Sequence, residues 1–158
     1  MGLHSLKKAG SLSLLVVNFI FQRILRINGD TRWMVHYTSQ VICPKKMTLG
    51  KHVEKSFARS GGCYIQGLNG IVLDDDVLFA PGVKIISANH GYTDHHEIQP
   101  SEPVRIGRNT WIGANAIILP GIQLGKNCII GAGSVVTKSF SDNTIIVGNP
   151  AREIGKNM

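Results

Sequence analysis

Three of the six histidines in this sequence stand close together in one polar segment, ISANHGYTDHHEIQPSEP. They are His90, His95 and His96, and Asp94 and Glu97 lie among them. An imidazole changes charge near neutral pH, so it can take a proton from a substrate and return it. Imidazoles and carboxylates are also the ligand types that bind zinc, although two adjacent residues such as His95 and His96 rarely both reach one metal. The segment therefore indicates either proton-transfer or metal chemistry.

The histidine segment interrupts a repeat of six residues. Every sixth position from 106 onward is a branched aliphatic, and an uncharged residue stands two positions before each one. The aliphatic positions are Ile106, Ile112, Ile118, Leu124, Ile130 and Val136, and those two before them are Val104, Thr110, Ala116, Ile122, Cys128 and Ser134. A six-residue period describes a short strand plus a turn, which is the signature of a parallel β-helix. We expect both columns to face the interior of this solenoid.

Glycine follows the aliphatic residue in four of these units. The four are Gly107, Gly113, Gly125 and Gly131. Because glycine tolerates a positive φ, we expect it to provide the backbone conformation that a corner of the β-helix requires.

The same pattern appears earlier in the chain, in a shifted frame. Its units are Met47/Leu49, Ile71/Leu73, Val77/Phe79 and Val83/Ile85. From Val83 to Val104 the interval is 21 residues, which is not a multiple of six, so the histidine segment is predicted to leave the solenoid as a loop. The predicted organisation is a helical and basic segment at 1–46, a β-helix at 47–140 with the loop at 87–103, and a tail at 141–158.

The composition is rich in glycine and poor in charge, with 18 Gly and 17% charged residues. This combination argues against a coiled coil, a collagenous chain and a disulfide scaffold. Cys43, Cys63 and Cys128 form no CxxC pair, so a zinc ribbon is not expected and a reducing cytoplasm is the simplest setting. The sequence contains no nucleic-acid-binding motif, and its aromatic content of 6% offers few stacking platforms.

The basic charge of the chain is confined to its beginning. Residues 1–59 carry ten Lys/Arg and two acidic residues, a net +8, whereas residues 60–158 carry seven and eight, a net −1. Such a local excess favours an acidic glycan, a membrane surface or an anionic cofactor as its partner.

Residues 13–27 predict an amphipathic helix. Asn18, Gln22 and Arg26 form a polar stripe with a spacing of four, and apolar side chains occupy the rest of the surface. Two alternatives remain for the apolar face: it packs on the body of the protein or a neighbouring subunit, or it lies on a membrane, since Lys7 and Lys8 precede it. The uncharged stretch from 9 to 22 is too short to span ~30 Å of hydrocarbon.

Taken together, these features resemble the hexapeptide-repeat acyltransferases, in particular the galactoside, maltose and capsular-polysaccharide O-acetyltransferases. The resemblance is carried by APGVKIISANHGYTDHHE, by PVRIGRNTWIGANAIILPGIQLGKNCIIGAGSVVTK and by VGNPAREI, in this order. It implies a left-handed parallel β-helix, a homotrimer with active sites between subunits, and acetyl-CoA as the acyl donor without a required metal. The handedness rests on the resemblance alone, because crossovers between parallel strands are usually right-handed.

The resemblance also implies site residues. His90 matches the loop histidine that acts as general base in the family. Gln66 falls where relatives carry an Asn that contacts the acceptor or the transition state, and Asn69 competes with it for this role. Asn89 is a further candidate for the oxyanion, and Glu97 or Asp94 for orienting the base.

The resemblance places the pantetheine arm of CoA beside the C-terminal coils. The positions that carry over are Trp111, Ala114, Ala132, Thr137, Lys138 and Arg152. Among these, Lys138 and Arg152 have the charge to meet the CoA phosphates. His36, Tyr37, Thr38 and Ser39 are candidates for lining the acceptor site of a neighbouring subunit.

We therefore expect an acetyl-CoA-dependent O-acetyltransferase that acts on a saccharide hydroxyl, in surface-polysaccharide synthesis, by direct attack without an acyl-enzyme. The protein would be cytoplasmic, at the inner face of the membrane if the N-terminal helix binds lipid. The alternative is a β-helix zinc enzyme of the carbonic anhydrase type.

Overall fold

The computed structural model describes residues 12–157, which build a three-sided β-helix from fourteen short strands. The first sheet contains β1 (Gln40–Ile42), β3 (Tyr64–Gln66), β6 (Lys84–Ile86), β9 (Ile117–Ile118) and β12 (Val135–Val136). The second sheet contains β2 (Met47–Leu49), β4 (Ile71–Leu73), β7 (Val104–Ile106) and β10 (Gln123–Leu124). The third contains β5 (Leu78–Phe79), β8 (Trp111–Ile112), β11 (Ile129–Ile130), β13 (Thr144–Gly148) and β14 (Ala151–Lys156). All pairings are parallel except β13 with β14.

The core of the β-helix is the pair of columns predicted from the repeat. All six aliphatics from Ile106 to Val136 are buried, as are all six residues two positions before them. The inward residues of neighbouring coils stack in register, as in Ile85↔Ile118 and Ile118↔Val136. Because one coil cannot bury its own inner face, this stacking is what stabilises the fold. The prediction of a parallel β-helix is confirmed.

The prediction for the glycines was wrong in its physical reason. Gly107 and Gly113 do not have positive φ; a Cβ on Gly113 would lie 2.6 Å from the backbone nitrogen of Ala132 in the next coil. The glycine after the aliphatic residue is thus required by the close approach of the coils. The left-handed conformation occurs two positions later in five of the six units, at Asn109, Asn115, Gly121, Asn127 and Gly133.

The parallel ladder extends beyond 47–140 at both ends. At the start, β1 pairs with β3, and at the end β13 continues the third sheet above β11 before β14 folds back on it. Helix α2 (Glu54–Arg59) lies between β2 and β3, within the part of the chain that was predicted to be β-helix. Its Phe57 packs edge-on against Phe79 of the third sheet, with ring centroids 4.9 Å apart.

The N-terminal helix α1 covers residues 12–19 and continues into a π-helical turn at Ile20–Ile24. Its polar stripe faces the protein: Asn18 and Gln22 are fully buried. Most of the apolar side chains along the helix and its π-helical turn are exposed. Of the alternatives that the sequence leaves open, packing of the whole apolar face on its own chain does not occur, although Phe21 packs on Tyr37. Arg26 lies beyond the helix with a φ of 64°. Lys7 and Lys8 lie outside the described residues.

Candidate functional site

The loop at 87–103 leaves the ladder after β6 and returns to it at β7. Its stem is a short antiparallel ribbon in which Gln99 N donates to Asn89 O (2.9 Å) and Gly91 N donates to Glu97 O (3.0 Å). His90 stands opposite Ile98 in this ribbon, and both side chains are exposed.

The ribbon determines which side chains lie beside the His90 imidazole. Directly opposed residues share a face and successive residues alternate, so His90 and Ile98 point to one side while Asn89 and Glu97 point to the other. Asp94 Oδ1 accepts a hydrogen bond from His96 N (2.7 Å). Within residues 12–157 the His90 ring makes no hydrogen bond, so neither acid orients it inside one protomer.

Gln66 and Asn69 clamp the base of the loop. The buried Gln66 accepts a hydrogen bond at Oε1 from Ala88 N (3.0 Å). Asn69 Nδ2 donates to Gln99 O (2.7 Å) and to Ser101 Oγ (3.1 Å). Gln66 as an acceptor and Asn69 as a donor thus hold the two ends of the loop that carries His90.

Two serines that the sequence analysis missed complete the clamp. Ser87 Oγ accepts from Asn69 N (2.9 Å), and Ser101 Oγ donates to Ser87 O (2.8 Å). The signal in the sequence is their position, because Ser87 and Ser101 stand near the two points where the six-residue pattern stops and resumes.

Thr137 and Lys138 lie at the corner from which the loop leaves. The register Ile85↔Ile118↔Val136 places Thr137 two coils along the helix axis from Ile86, at a spacing of about 10 Å. Both side chains are exposed. The structure therefore brings two of the predicted CoA residues to the loop corner.

Ala114 and Ala132 lie at the opposite edge of the first sheet, whereas Arg152 lies at the end of the third sheet. Ala114 and Ala132 stack on the corner between the third and first sheets, where Gly133 N donates to Ala114 O (2.8 Å). Arg152 stands in β14, opposite Val147 of β13, and β14 lies two strands beyond β11 in the third sheet. Trp111 is separate from them, since it projects from the outer face of the third sheet between Leu78 and Ile129 and is 53% exposed.

Comparison with known proteins shows which family has this arrangement. Residues 103–138 match the profile of the hexapeptide repeat of succinyl-transferase. The galactoside O-acetyltransferase of Escherichia coli K12 is 36% identical over 108 residues, which cover 65% of this chain and 52% of that protein. The chain belongs to the hexapeptide-repeat acetyltransferase family. It spans about half the length of this curated relative.

Solved structures of this family have the same fold. A maltose O-acetyltransferase from Clostridium difficile 630 superposes with a TM-score of 0.63 at 36% identity, covering 76% of this chain and 65% of that one. A galactoside acetyltransferase in complex with coenzyme A gives 0.54 at 26% identity, covering 77% and 63%. This hexapeptide-repeat protein is therefore a left-handed parallel β-helix.

Lys138 and Arg152 are the two cations that are predicted to meet the CoA phosphates. Lys138 Nζ lies over the Phe140 ring, 5.5 Å from its centroid, and Arg152 Nη1 donates to Ala151 O (3.0 Å). No carboxylate within the described residues forms an ion pair with either cation. Both charges are exposed and available to an anionic ligand.

His36 stands in a compact group before the first coil. Its ring stacks on Tyr37 at 4.7 Å, and its Nδ1 accepts a hydrogen bond from Thr38 N (3.2 Å). Burial lowers the pKa of His36 from its ordinary value of 6.5. Ser39 donates to Ser60 O (2.8 Å) and is buried, whereas Tyr37 and Thr38 are exposed. A contact of this segment with a neighbour's acceptor site stays a prediction.

The remaining chemically active groups are the types of side chain that bind metals and the cysteine thiols. In the part of the chain that the structure describes, no three His, Cys, Asp or Glu side chains are grouped as metal ligands. Burial raises the pKa of both Cys63 and Cys128, which holds them as thiols rather than as nucleophilic thiolates. The exposed imidazole of His90 is the candidate group for proton transfer.

Proposed function

We propose that this protein transfers the acetyl group of acetyl-CoA to a hydroxyl of a saccharide, with His90 as the general base. The observation that carries the proposal is the position of His90 on an exposed, clamped loop that leaves the β-helix at the corner of Thr137 and Lys138. The names of the relatives, galactoside and maltose O-acetyltransferase, support a saccharide hydroxyl as the acceptor.

The reaction requires one proton to be moved twice. As the acceptor oxygen attacks the thioester carbonyl carbon, the imidazole takes the hydroxyl proton. The tetrahedral intermediate then collapses, the C–S bond breaks, and the imidazolium returns the proton to the departing sulfur. The products are the acetyl ester and free CoA, and no residue of the chain is acylated.

The active unit in this proposal is a homotrimer with sites between protomers. It is supported by the His90 ring, whose face of the ribbon carries Ile98 rather than Asn89 or Glu97, so that a partner for the imidazole must come from outside this protomer's ribbon. The segment His36–Ser39 of a neighbour is proposed to line the acceptor site. Light scattering tests the assembly by its mass.

The proposed setting is surface-polysaccharide synthesis on the cytoplasmic side of the membrane. Three free cysteines support a reducing compartment: Cys43, Cys63 and Cys128. The acceptor would then be a sugar unit that is modified before export.

The experiment that tests the function is acceptor-dependent thiol release. The full chain is incubated with acetyl-CoA and a panel of mono- and oligosaccharides, and free CoA and the acetyl ester are both quantified. The proposal expects stoichiometric CoA and ester for at least one sugar, with little CoA released in its absence. Release of CoA that no saccharide stimulates, or transfer only to amines, would contradict it.

A further inference from the structure

Helix α1 is attached to the protein through its polar side. Asn18 Nδ2 donates to Ala58 O (2.9 Å), and its Oδ1 accepts from Tyr37 N (3.0 Å). Gln22 Nε2 donates to Trp33 O (2.8 Å), and its Oε1 accepts from Val35 N (3.0 Å). Both amides are thus used as donor and as acceptor in a buried environment. Rotating the helix would leave these groups unpaired, which costs free energy for every one of them.

This attachment holds the apolar side of the helix outward. The exposed apolar positions recur at the spacing of one helical face and continue past the helix end. They are Leu12, Leu15, Val16, Phe19, Ile20, Ile24, Leu25 and Ile27, which we call the outer apolar face. Five of them are more than half exposed: Leu12, Val16, Phe19, Ile24 and Leu25, at 64%, 52%, 52%, 65% and 56%. Contiguous apolar surface of this kind marks a binding face.

The charge next to the outer apolar face indicates its partner. Arg23 and Arg26 are exposed beside it, and residues 12–29 contain no Asp or Glu. Asp30 and Arg32 follow and are both exposed, so residues 12–32 carry three Arg and one Asp, a net charge of +2. An apolar face bordered by cations is the pattern of a helix that lies in the interface of an anionic bilayer.

A second copy of the chain offers few unpaired carboxylates to these arginines. Of the eight carboxylates in residues 60–158, four are already paired within the protomer, namely Asp75, Asp76, Asp142 and Glu153. Residues 60–158 carry a net charge of only −1. Charge complementarity therefore favours a lipid surface over a self-contact.

We propose that α1 and the turn after it dock the protein onto a membrane surface that contains anionic lipid. The outer apolar face enters the boundary between headgroups and acyl chains, while Arg23 and Arg26 contact lipid phosphates. Among the described residues no helix is both long and apolar enough to cross a bilayer. The docking does not depend on the proposed acetyl transfer.

The test is co-sedimentation of the full chain with vesicles, without acetyl-CoA or sugar. Vesicles of phosphatidylcholine with phosphatidylglycerol are compared with phosphatidylcholine alone, at low and high salt. We expect binding to the anionic vesicles that weakens with salt. The double variant Phe19→Ser/Ile24→Ser should reduce it at least tenfold, because both exposed side chains lose their apolar burial in lipid. Ile154→Ser, at a comparably exposed position on β14, should bind like the unmodified protein.

Three results would overturn the docking. The first is no binding of the full chain to anionic vesicles, and the second is equal binding by the double variant. The third is a pair of observations: the unmodified protein does not bind vesicles, and the double variant has a lower mass than the unmodified protein in light scattering. This result would assign the outer apolar face to a contact between copies of the chain. Failure of the acetyl-transfer assay would leave all of these outcomes unchanged.

Discussion

Asn69 Nδ2 donates a hydrogen bond of 2.7 Å to the carbonyl oxygen of Gln99, thirty residues further along the chain. The bond joins the turn after β3 to the returning strand of the loop. Gln99 in turn pairs with Asn89, next to His90. The position of the proposed base is therefore fixed by an amide that belongs to the coil before the loop.

Replacing Asn69 with Ala is expected to loosen the loop. The substitution leaves Gln99 O without this donor and removes the bond to Ser101, so we predict roughly tenfold lower kcat and faster hydrogen exchange in residues 88–103. Asn157→Ala, which removes a comparable bond to Asn127 O at the far end of the fold, is the control. Unchanged exchange in the loop of the Asn69 variant would show that this side chain does not hold it.

Asn127 tests the corner conformation of the repeat. It has a φ of 57°, and its side chain links Asn109 to Asn143 in a ladder of amide hydrogen bonds. Asn127→Ala should lower the free energy of unfolding through both strain and lost bonds, whereas Asn127→Gly loses only the bonds. We predict that the Ala variant is less stable than the Gly variant by about 1 kcal/mol, as measured by denaturant unfolding. Equal stability of the two variants would mean that strain plays no part.

Lys138→Ala should weaken acetyl-CoA binding. An exposed cation without a carboxylate partner is suited to a phosphate, and losing it should raise KM for acetyl-CoA about tenfold with little change in kcat. Lys126→Ala removes the same charge from a lysine that pairs with Asp142 (3.7 Å). If both variants raise KM for acetyl-CoA equally, the increase comes from the loss of positive charge in general, and a specific contact between Lys138 and the CoA phosphates is contradicted.

The lowered pKa of His36 predicts an acid-sensitive fold. Since the unfolded chain binds this proton more tightly, the contribution of His36 to stability is complete above its ordinary value of 6.5. It is lost as the pH falls below 6.5 toward the lower pKa of the folded state. The free energy of unfolding, measured in denaturant over this pH range, should change less with pH for His36→Gln than for the unmodified chain or for His95→Gln. An identical slope in all three proteins would contradict the assignment.

The repeat could be predicted in detail because its physics is local. Each coil gives the same two positions the same buried environment, so Ile106 through Val136 follow from the period alone. The period does not predict the pairing of β1 and β13, because a terminal coil packs on only one neighbour and its sequence is less constrained. The steric role of Gly113 depends on Ala132 in the next coil, which the pattern within one unit does not show.

The helix and the loop clamp depend on contacts between distant parts of the chain. Asn18 and Gln22 are buried because backbone groups of residues 33–58 accept and donate to them, and hydrophobic periodicity alone does not decide which side of the helix faces the protein. Gln66 and Asn69 were predicted to contact the acceptor or the transition state, and this remains a prediction; their observed partners are Ala88, Gln99 and Ser101.

The most direct test of the proposed mechanism is the kcat of His90→Ala with a saccharide that the unmodified protein acetylates. His95→Ala, in the same exposed loop, is the matched control. We predict that His90→Ala lowers kcat by about 10²- to 10⁴-fold, with KM for acetyl-CoA nearly unchanged, while His95→Ala stays within a few-fold of the unmodified protein. A kcat of His90→Ala within a few-fold of that of the unmodified protein would contradict the assignment of His90 as the base.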